Sequence, residues 1–161
     1  MKEKEEDTKK KVCLISSSGG HFEQLMMLKQ LEEKFDVFIV TEKTYYNKDN
    51  KNIKYFLPQV NRKEKFFMLK MIKIYFKSLK ILKKEKPDVI ISTGVLSTIP
   101  MLYLGHKKRK KVIYIESFAK ISDPTQTGKF VYNHNLADRF YVQWESMLKF
   151  YPNAIFKGGI Y

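Results

Sequence analysis

Cysteine is almost absent from this 161-residue sequence: Cys13 stands alone, so no internal disulfide can form and a cysteine-based metal site lacks its ligands. A reducing compartment suits such a chain. Long apolar runs are missing too. No stretch approaches the roughly 18 consecutive apolar residues of a spanning helix, and Met1 to Lys11 mixes charges of both signs. Neither a signal peptide nor a conventional transmembrane helix is therefore expected. Internal repeats and long flexible linkers are absent as well, which points to one domain over 11–161 behind a charged N-terminal tail, 1–10. A chain of this length can close a single good core. With 43% hydrophobic and 30% charged residues, its composition is that of a folded protein.

Acidic residues are outnumbered 17 to 31, giving a formal net charge of +14, and the deficit is concentrated. Residues 43–111 hold 19 basic and 4 acidic groups, whereas the segments on either side are close to balance. Such a block raises the local density of anionic partners, whether nucleic acid, anionic lipid or phosphorylated substrate.

The apolar run Val12 to Ile15 leads through Ser16-Ser17-Ser18-Gly19-Gly20-His21 into Phe22 to Lys34, where Phe22, Leu25, Met26, Leu28 and Leu31 recur at helical spacing. That order predicts strand, tight loop, helix. Further strands are expected at 37–40, 53–57, 88–92, 112–116, 139–143 and 154–156. A long amphipathic helix is expected over 61–86, stopped by Pro87, with shorter helices at 96–104 and 129–133. Continuous apolar strands alternating with helices imply an α/β fold, a doubly wound, Rossmann-like parallel sheet covered on both faces. In such folds ligands bind at the carboxyl ends of the strands.

The loop Ser18-Gly19-Gly20-His21 is the sharpest local signal. Paired glycines let backbone N–H groups approach a ligand closely, and the following helix start favours anions, so the loop suits a phosphate or diphosphate. A tight turn capped by serine is the plainer alternative. His21, at the helix start, suits a neutral general base or a hydrogen bond to phosphate. Two more loops leave the same predicted edge: Thr93-Gly94-Val95, and Glu116-Ser117, whose carboxylate is a candidate base or hydroxyl partner and, alternatively, a cap for a neighbouring loop. On the long helix, Lys70, Lys73, Lys77, Lys80 and Lys84 form one basic stripe beside a broad apolar remainder. That suits an anionic membrane interface, or a helix packed between sheet and partner with its lysines in water.

Taken in order, Ser-Gly-Gly-His, Asp-Val-Ile-Ile-Ser-Thr-Gly, Ile-Tyr-Ile-Glu-Ser-Phe-Ala, Val-Gln-Trp-Glu and Tyr-Pro-Asn-Ala resemble the glycosyltransferase-enhancer subunits of bacterial capsule and exopolysaccharide clusters. These are similar to the membrane-anchor subunit of the eukaryotic enzyme that adds the second N-acetylglucosamine to the dolichol-linked sugar. The resemblance runs from Lys11 to Tyr161. It implies a fold equivalent to the N-terminal, acceptor-side half of a GT-B glycosyltransferase, catalytically silent alone and partnered by a separate donor-binding subunit. It further implies that Ser18, Gly19, Gly20, Gly94 and Val95 hold the acceptor's diphosphate. His21 and Glu116 would be the catalytic candidates, His21 also lying on that diphosphate and Glu116 near the reacting hydroxyl, with the base being one of them or a residue of the partner; Ser117, Gln143 and Trp144 would support the cleft or face the partner. Lys70, Lys73 and Lys77 would meet the membrane. No metal and no cofactor are implied. Relatives often carry glycine where Ser16 and Ser17 stand, and the eukaryotic members carry an N-terminal span. Attachment here is therefore expected to be peripheral, on the inner, cytoplasmic face of the cell membrane.

Two other classes compete. A nucleic-acid-binding domain is favoured by charge alone, and the aromatics beside the basic block recur at helical rather than platform spacing. A stand-alone nucleotide-sugar enzyme would bind UDP tightly without a partner.

Overall fold

A computed structural model describes residues 9–161. Most of the charged tail, 1–8, lies outside the described residues. Among the described residues seven parallel strands form one sheet: β1 (Lys11–Ile15), β2 (Asp36–Glu42), β3 (Ile53–Leu57), β4 (Val89–Ser92), β5 (Lys111–Ile115), β6 (Arg139–Val142) and β7 (Ile155–Phe156), in the order β3-β2-β1-β4-β5-β6-β7. Among the same residues four α-helices accompany it: α1 (Gly20–Met26), α2 (Phe67–Glu85), α3 (Ile99–Lys107) and α4 (Gln126–Asn133).

Period-two alternation along the strands builds two cores. Cys13 and Ile15 of β1 join Phe38, Val40, Ile90 and Val112 against Ile74 and Ile81 of α2, Met101 of α3 and Val131 of α4. Val12 and Leu14 face the other way, with Ile39, Ile91 and Ile115, against Leu25 of α1 and Leu31. The Cys13 thiol lies wholly inside the first core, where burial pushes its pKa up and leaves it an inert small hydrophobe.

The expected doubly wound sheet is present, and the differences from expectation are local. The helix expected over 22–34 stops at Met26. After a turn, Lys29–Glu33 is 3₁₀. Leu28 and Leu31, three residues apart, match the three-residue turn of a 3₁₀ helix and both pack on the sheet. The basic helix starts at Phe67 rather than near 61, because the preceding residues are spent in turns that carry the chain from β3 to the other face. It ends with Lys86 left-handed at φ 48°, before Pro87 is reached. Conversely α4 starts three residues earlier than expected, because the Thr125 hydroxyl caps it, accepting from Gly128 N at 2.8 Å.

Strand order reverses direction between β1 and β4. There β1 continues outward toward β2 and β3, while β4 begins the run through β5, β6 and β7. The loops leaving the carboxyl ends of these two neighbours must part, one to each face, and open a crevice.

Candidate functional site

The two loops at that crevice are bound to each other. Ser17 N donates to Gly94 O at 3.0 Å, Thr93 Oγ1 donates to His21 O at 2.8 Å, and His21 Nδ1 lies 2.8 Å from Thr93 O. A carbonyl can only accept, so Nδ1 carries the proton. In the neutral ring the lone pair therefore sits on Nε2. One imidazole nitrogen fixes the ring, and among the described residues Nε2 has no hydrogen-bond partner. Gly19 at φ 75° and Gly94 at φ 94° take backbone conformations that suit glycine. At Gly94 a side chain would also crowd its neighbours: a Cβ would lie 3.2 Å from the Tyr114 hydroxyl and 3.6 Å from His21 Nδ1. The first N–H groups of α1, those of Gly20 and His21, have no carbonyl within the helix to bond.

Ser18 and Gly19 line a cavity of about 640 Å³, closed on the far side by Tyr45, Tyr46, Asn47 and Asn50 of the β2–β3 loop and by Gln59. Tyr46 is 96% exposed, with its ring edge-on to Tyr45 at 5.8 Å. On the other side of Gln59, Val95 lines a second cavity of about 560 Å³ together with Arg62, Thr125 and Gln126. Of the diphosphate candidates, Ser18 and Gly19 line the first cavity and Val95 the second, while Gly20 and Gly94 line neither. His21 bridges the two loops through its bonds to Thr93.

Glu116 does not point into it. The side chain is 1% exposed, and its carboxylate accepts from Ser117 N at 2.8 Å, Thr125 Oγ1 at 2.8 Å, Thr125 N at 3.3 Å and Tyr151 Oη at 2.7 Å. With both oxygens occupied, no acceptor hydroxyl can reach it without breaking this shell. Of the two roles read from the sequence, the geometry is that of a loop cap. Burial, and then the bond to Glu116, push the Tyr151 hydroxyl far above its ordinary pKa, so it stays a donor. Gly128 makes the arrangement possible: a Cβ there would lie 1.9 Å from Glu116 Oε2 and 2.6 Å from the Tyr151 hydroxyl.

Gln143 and Ser117 are also buried. Gln143 Nε2 donates to Glu116 O and to Gln24 Oε1, both at 2.8 Å, and its own Oε1 accepts from Ile160 N at 3.0 Å. Gln24 Oε1 also accepts from Phe118 N at 3.1 Å. This amide pair ties α1, the β5 loop and the C-terminal segment together. Trp144 Nε1 donates to Phe118 O at 2.6 Å, and its ring packs on Phe118, which also meets Tyr161.

The lysine stripe is not uniform. Lys70 pairs with Glu64 and donates to Gln59 O at 3.3 Å, so it is folded back onto the loop before α2 rather than free beside its neighbours. Lys73 and Lys77 are exposed. Partial desolvation, then the charges of Lys73 and Lys43, lower the Lys77 pKa. Among the described residues no helix is long and apolar enough to cross a membrane, and no cluster of three or more His, Cys, Asp or Glu side chains could hold a metal.

Thr125, Gly128, Tyr151 and Gln24, the partners that organise the β5 loop, were not among the residues singled out in the sequence. The one available signal was Thr125 three positions before Gly128 and ahead of an apolar-spaced segment. Arg62, Gln59 and the Tyr45-Tyr46 pair reach the crevice through loops whose course no periodicity reports.

Comparison with known proteins gives the same architecture. MurG of Acinetobacter baumannii superposes with a TM-score of 0.70 at 18% identity, over 85% of this chain and 42% of MurG. UDP-N-acetylglucosamine 2-epimerase of Rickettsia bellii gives 0.72 at 15% identity, over 94% and 45%. In sequence, the human UDP-N-acetylglucosamine transferase subunit ALG14 is 32% identical over 89 residues, 52% of this chain and 40% of that subunit. The UDP-N-acetylglucosamine–N-acetylmuramyl-(pentapeptide) pyrophosphoryl-undecaprenol N-acetylglucosamine transferase of Clostridium botulinum is 33% identical over 112 residues, 62% of this chain and 31% of that enzyme. The matched region thus spans less than half the length of these relatives. A family model described as "Oligosaccharide biosynthesis protein Alg14 like" matches residues 12–160. From the first strand to the C-terminal segment, this chain belongs to the Alg14-like family of oligosaccharide biosynthesis proteins.

Proposed function

We propose that the chain is the acceptor-binding and membrane-recruiting subunit of a two-component, inverting UDP-sugar glycosyltransferase. Its acceptor is a lipid-diphosphate-linked sugar of capsule or exopolysaccharide synthesis, and UDP-N-acetylglucosamine is the first donor to test. The observation that carries this reading is the crevice at the strand-order reversal, where two glycine loops are hydrogen-bonded to each other around His21. The curated relatives named above, a transferase subunit and an enzyme using a pyrophosphoryl lipid, support the class of reaction.

On this reading the diphosphate lies against the loops of Ser18, Gly19, Gly20, Gly94 and Val95, and the donor sugar arrives on a partner chain. The acceptor hydroxyl oxygen bonds to the donor's anomeric carbon as the bond from that carbon to the UDP oxygen breaks, and UDP leaves with the electron pair. The hydroxyl proton passes to His21 Nε2, the nitrogen left free by the Thr93 contact. Glu116 acts as a positioning residue: it fixes the β5 loop and the α4 start, which border the crevice at Thr125 and Gln126. Gln143 and Trp144 hold the C-terminal segment and the 117–121 loop for the partner.

Recruitment falls to α2. Its buried side chains, Ile74, Ser78, Ile81, Leu82 and Glu85, form one stripe. Lys73, Lys77, Lys80 and Lys84 form a second, and exposed Met68, Leu69, Ile72 and Phe76 a third. The basic stripe, with exposed Leu69 beside it, suits peripheral attachment to the anionic inner leaflet. The test is transfer from a panel of UDP-sugars to membrane glycolipid, with this chain alone and with the candidate donor-binding subunit. Product only from the pair supports the proposal; robust turnover by the single chain contradicts it.

A further inference from the structure

The cavities along the carboxyl edge are not separate. Gln59 lines both the cavity at the Ser18-Gly19 loop and the next one, which holds Arg62. Arg62, Leu96 and Gln126 are shared in turn with a third cavity of about 710 Å³, where Lys129 and His134 also lie. Met68, Met71, Ile99 and Phe130 carry that one into a fourth, a groove of about 470 Å³ between α2, α3 and α4. Shared walls make one track. Its lining changes from hydroxyls, amides, tyrosines and the Glu23 carboxylate, through Arg62, Glu64 and Lys129, to a groove whose lining side chains are all apolar or aromatic, including Ile72, Tyr75, Phe76 and Tyr103.

A ligand that fits such a track has a sugar at one end, an anionic link in the middle and a hydrocarbon chain at the other. We propose that the groove between α2, α3 and α4 binds the first isoprene units of the acceptor's polyprenyl carrier, with the diphosphate lying between the two glycine loops and Arg62, and the sugar beyond the Ser18-Gly19 loop. This rests on the acceptor reading above and adds to it an orientation: sugar toward Tyr45 and Tyr46, lipid toward α3. Charge supports the polarity, because Arg62 and Lys129 stand where the track turns from polar to apolar, at the lipid side of the diphosphate, and the one carboxylate lining the Arg62 cavity, Glu64, is paired with Lys70. From Met68 to Phe76 the groove follows α2 for about 12 Å at the helical rise, room for a short run of isoprene units and not for a whole carrier. The exposed walls, Met68 at 66%, Ile72 at 50% and Phe76 at 57%, leave apolar surface that the chain would cover. Methionine at two positions lets the wall adapt to a branched, flexible hydrocarbon.

The experiment compares two water-soluble probes on the full chain without bilayer or detergent: geranyl N-acetylglucosaminyl diphosphate and its methyl counterpart. The geranyl probe should bind about tenfold more tightly or better. Ile72→Glu, on the groove wall, should reduce that advantage to about twofold or less, whereas Lys34→Glu, exposed and away from the groove, should preserve it. Measurable binding of both probes with equal affinity would overturn the groove assignment and leave the acceptor reading standing. No binding of either probe at millimolar concentration would overturn both. An advantage that survives Ile72→Glu, together with loss of vesicle binding by that variant, would assign the groove to the bilayer surface and overturn the proposal.

Discussion

Gly128→Ala sets two effects of opposite sign against each other. In a helix interior, exchanging glycine for alanine stabilises by about 1 kcal/mol through propensity. Here the new methyl would sit 1.9 Å from Glu116 Oε2 and 2.6 Å from the Tyr151 hydroxyl, so the carboxylate must move. Moving it breaks bonds from Ser117, Thr125 and Tyr151 to a buried charged group, each worth about 1.5–3 kcal/mol, and overpacking adds about 1–3 kcal/mol. If one bond is lost and the rest relax, the net destabilisation is about 1.5–5 kcal/mol. Urea unfolding followed by tryptophan fluorescence reads it directly, since Trp144 packs on Phe118 two residues from Glu116. The midpoint should fall with an unchanged slope. Glu116→Gln, which keeps the shape and accepts at one oxygen, should cost less than Glu116→Ala. A neutral or stabilised Gly128→Ala would refute the view that Glu116 is held by close approach to α4 and would return it to the list of candidate bases.

Three further outcomes follow from named contacts. His21→Ala should lower the maximal rate of the reconstituted pair by about 10²–10⁴-fold if Nε2 is the base. If instead it only bonds the diphosphate, the acceptor Michaelis constant should rise at constant rate; activity within a factor of about two would remove His21 from the chemistry. Burial pushes the Glu85 carboxyl up, but bonds from Tyr55, Lys54 and Lys11 outweigh it and lower the pKa to about 2. A depressed carboxyl contributes stability above its unfolded value near 4.5 that is lost as pH falls toward about 2, here on the order of 3 kcal/mol. Thermal unfolding of wild type and Glu85→Gln should therefore converge at acid pH, and parallel curves would contradict the assignment. On anionic vesicles, Lys73→Glu with Lys77→Glu should weaken binding by orders of magnitude at low salt, and Lys70→Glu by less, because Lys70 already pairs with Glu64. Equal effects, or none, would move this stripe away from the bilayer.

The parallel sheet was legible because Val-Cys-Leu-Ile, Val-Phe-Ile-Val and Val-Ile-Ile-Ser are short apolar runs bounded by breakers, and strands buried on both faces read that way. The loops after β1 and β4 were legible for the same reason: each is a glycine placed at a strand end. Helix ends were less so. Nothing in the spacing of Leu28 and Leu31 distinguishes an α-helix from a 3₁₀ turn until the packing is seen. Glu116 shows the deeper limit. Its place in the chain, after a strand and before a Ser/Thr-rich loop, fits a base or a cap equally well, and the choice depends on Tyr151 and Gly128, both far enough along to be brought in only by folding. Likewise Lys70 keeps stripe spacing with Lys73 and Lys77, yet Glu64 draws it aside.

The central claim is that this chain holds the acceptor while its partner holds the donor. Photoreactive analogues of the diphosphate-linked acceptor and of UDP-N-acetylglucosamine, each added to the reconstituted pair, test it by showing which polypeptide is labelled. The acceptor analogue should label this chain, in peptides containing Ser18 to His21 or Thr93 to Val95, and the donor analogue should label the partner. Donor label on this chain, with acceptor label on the partner, would contradict the account.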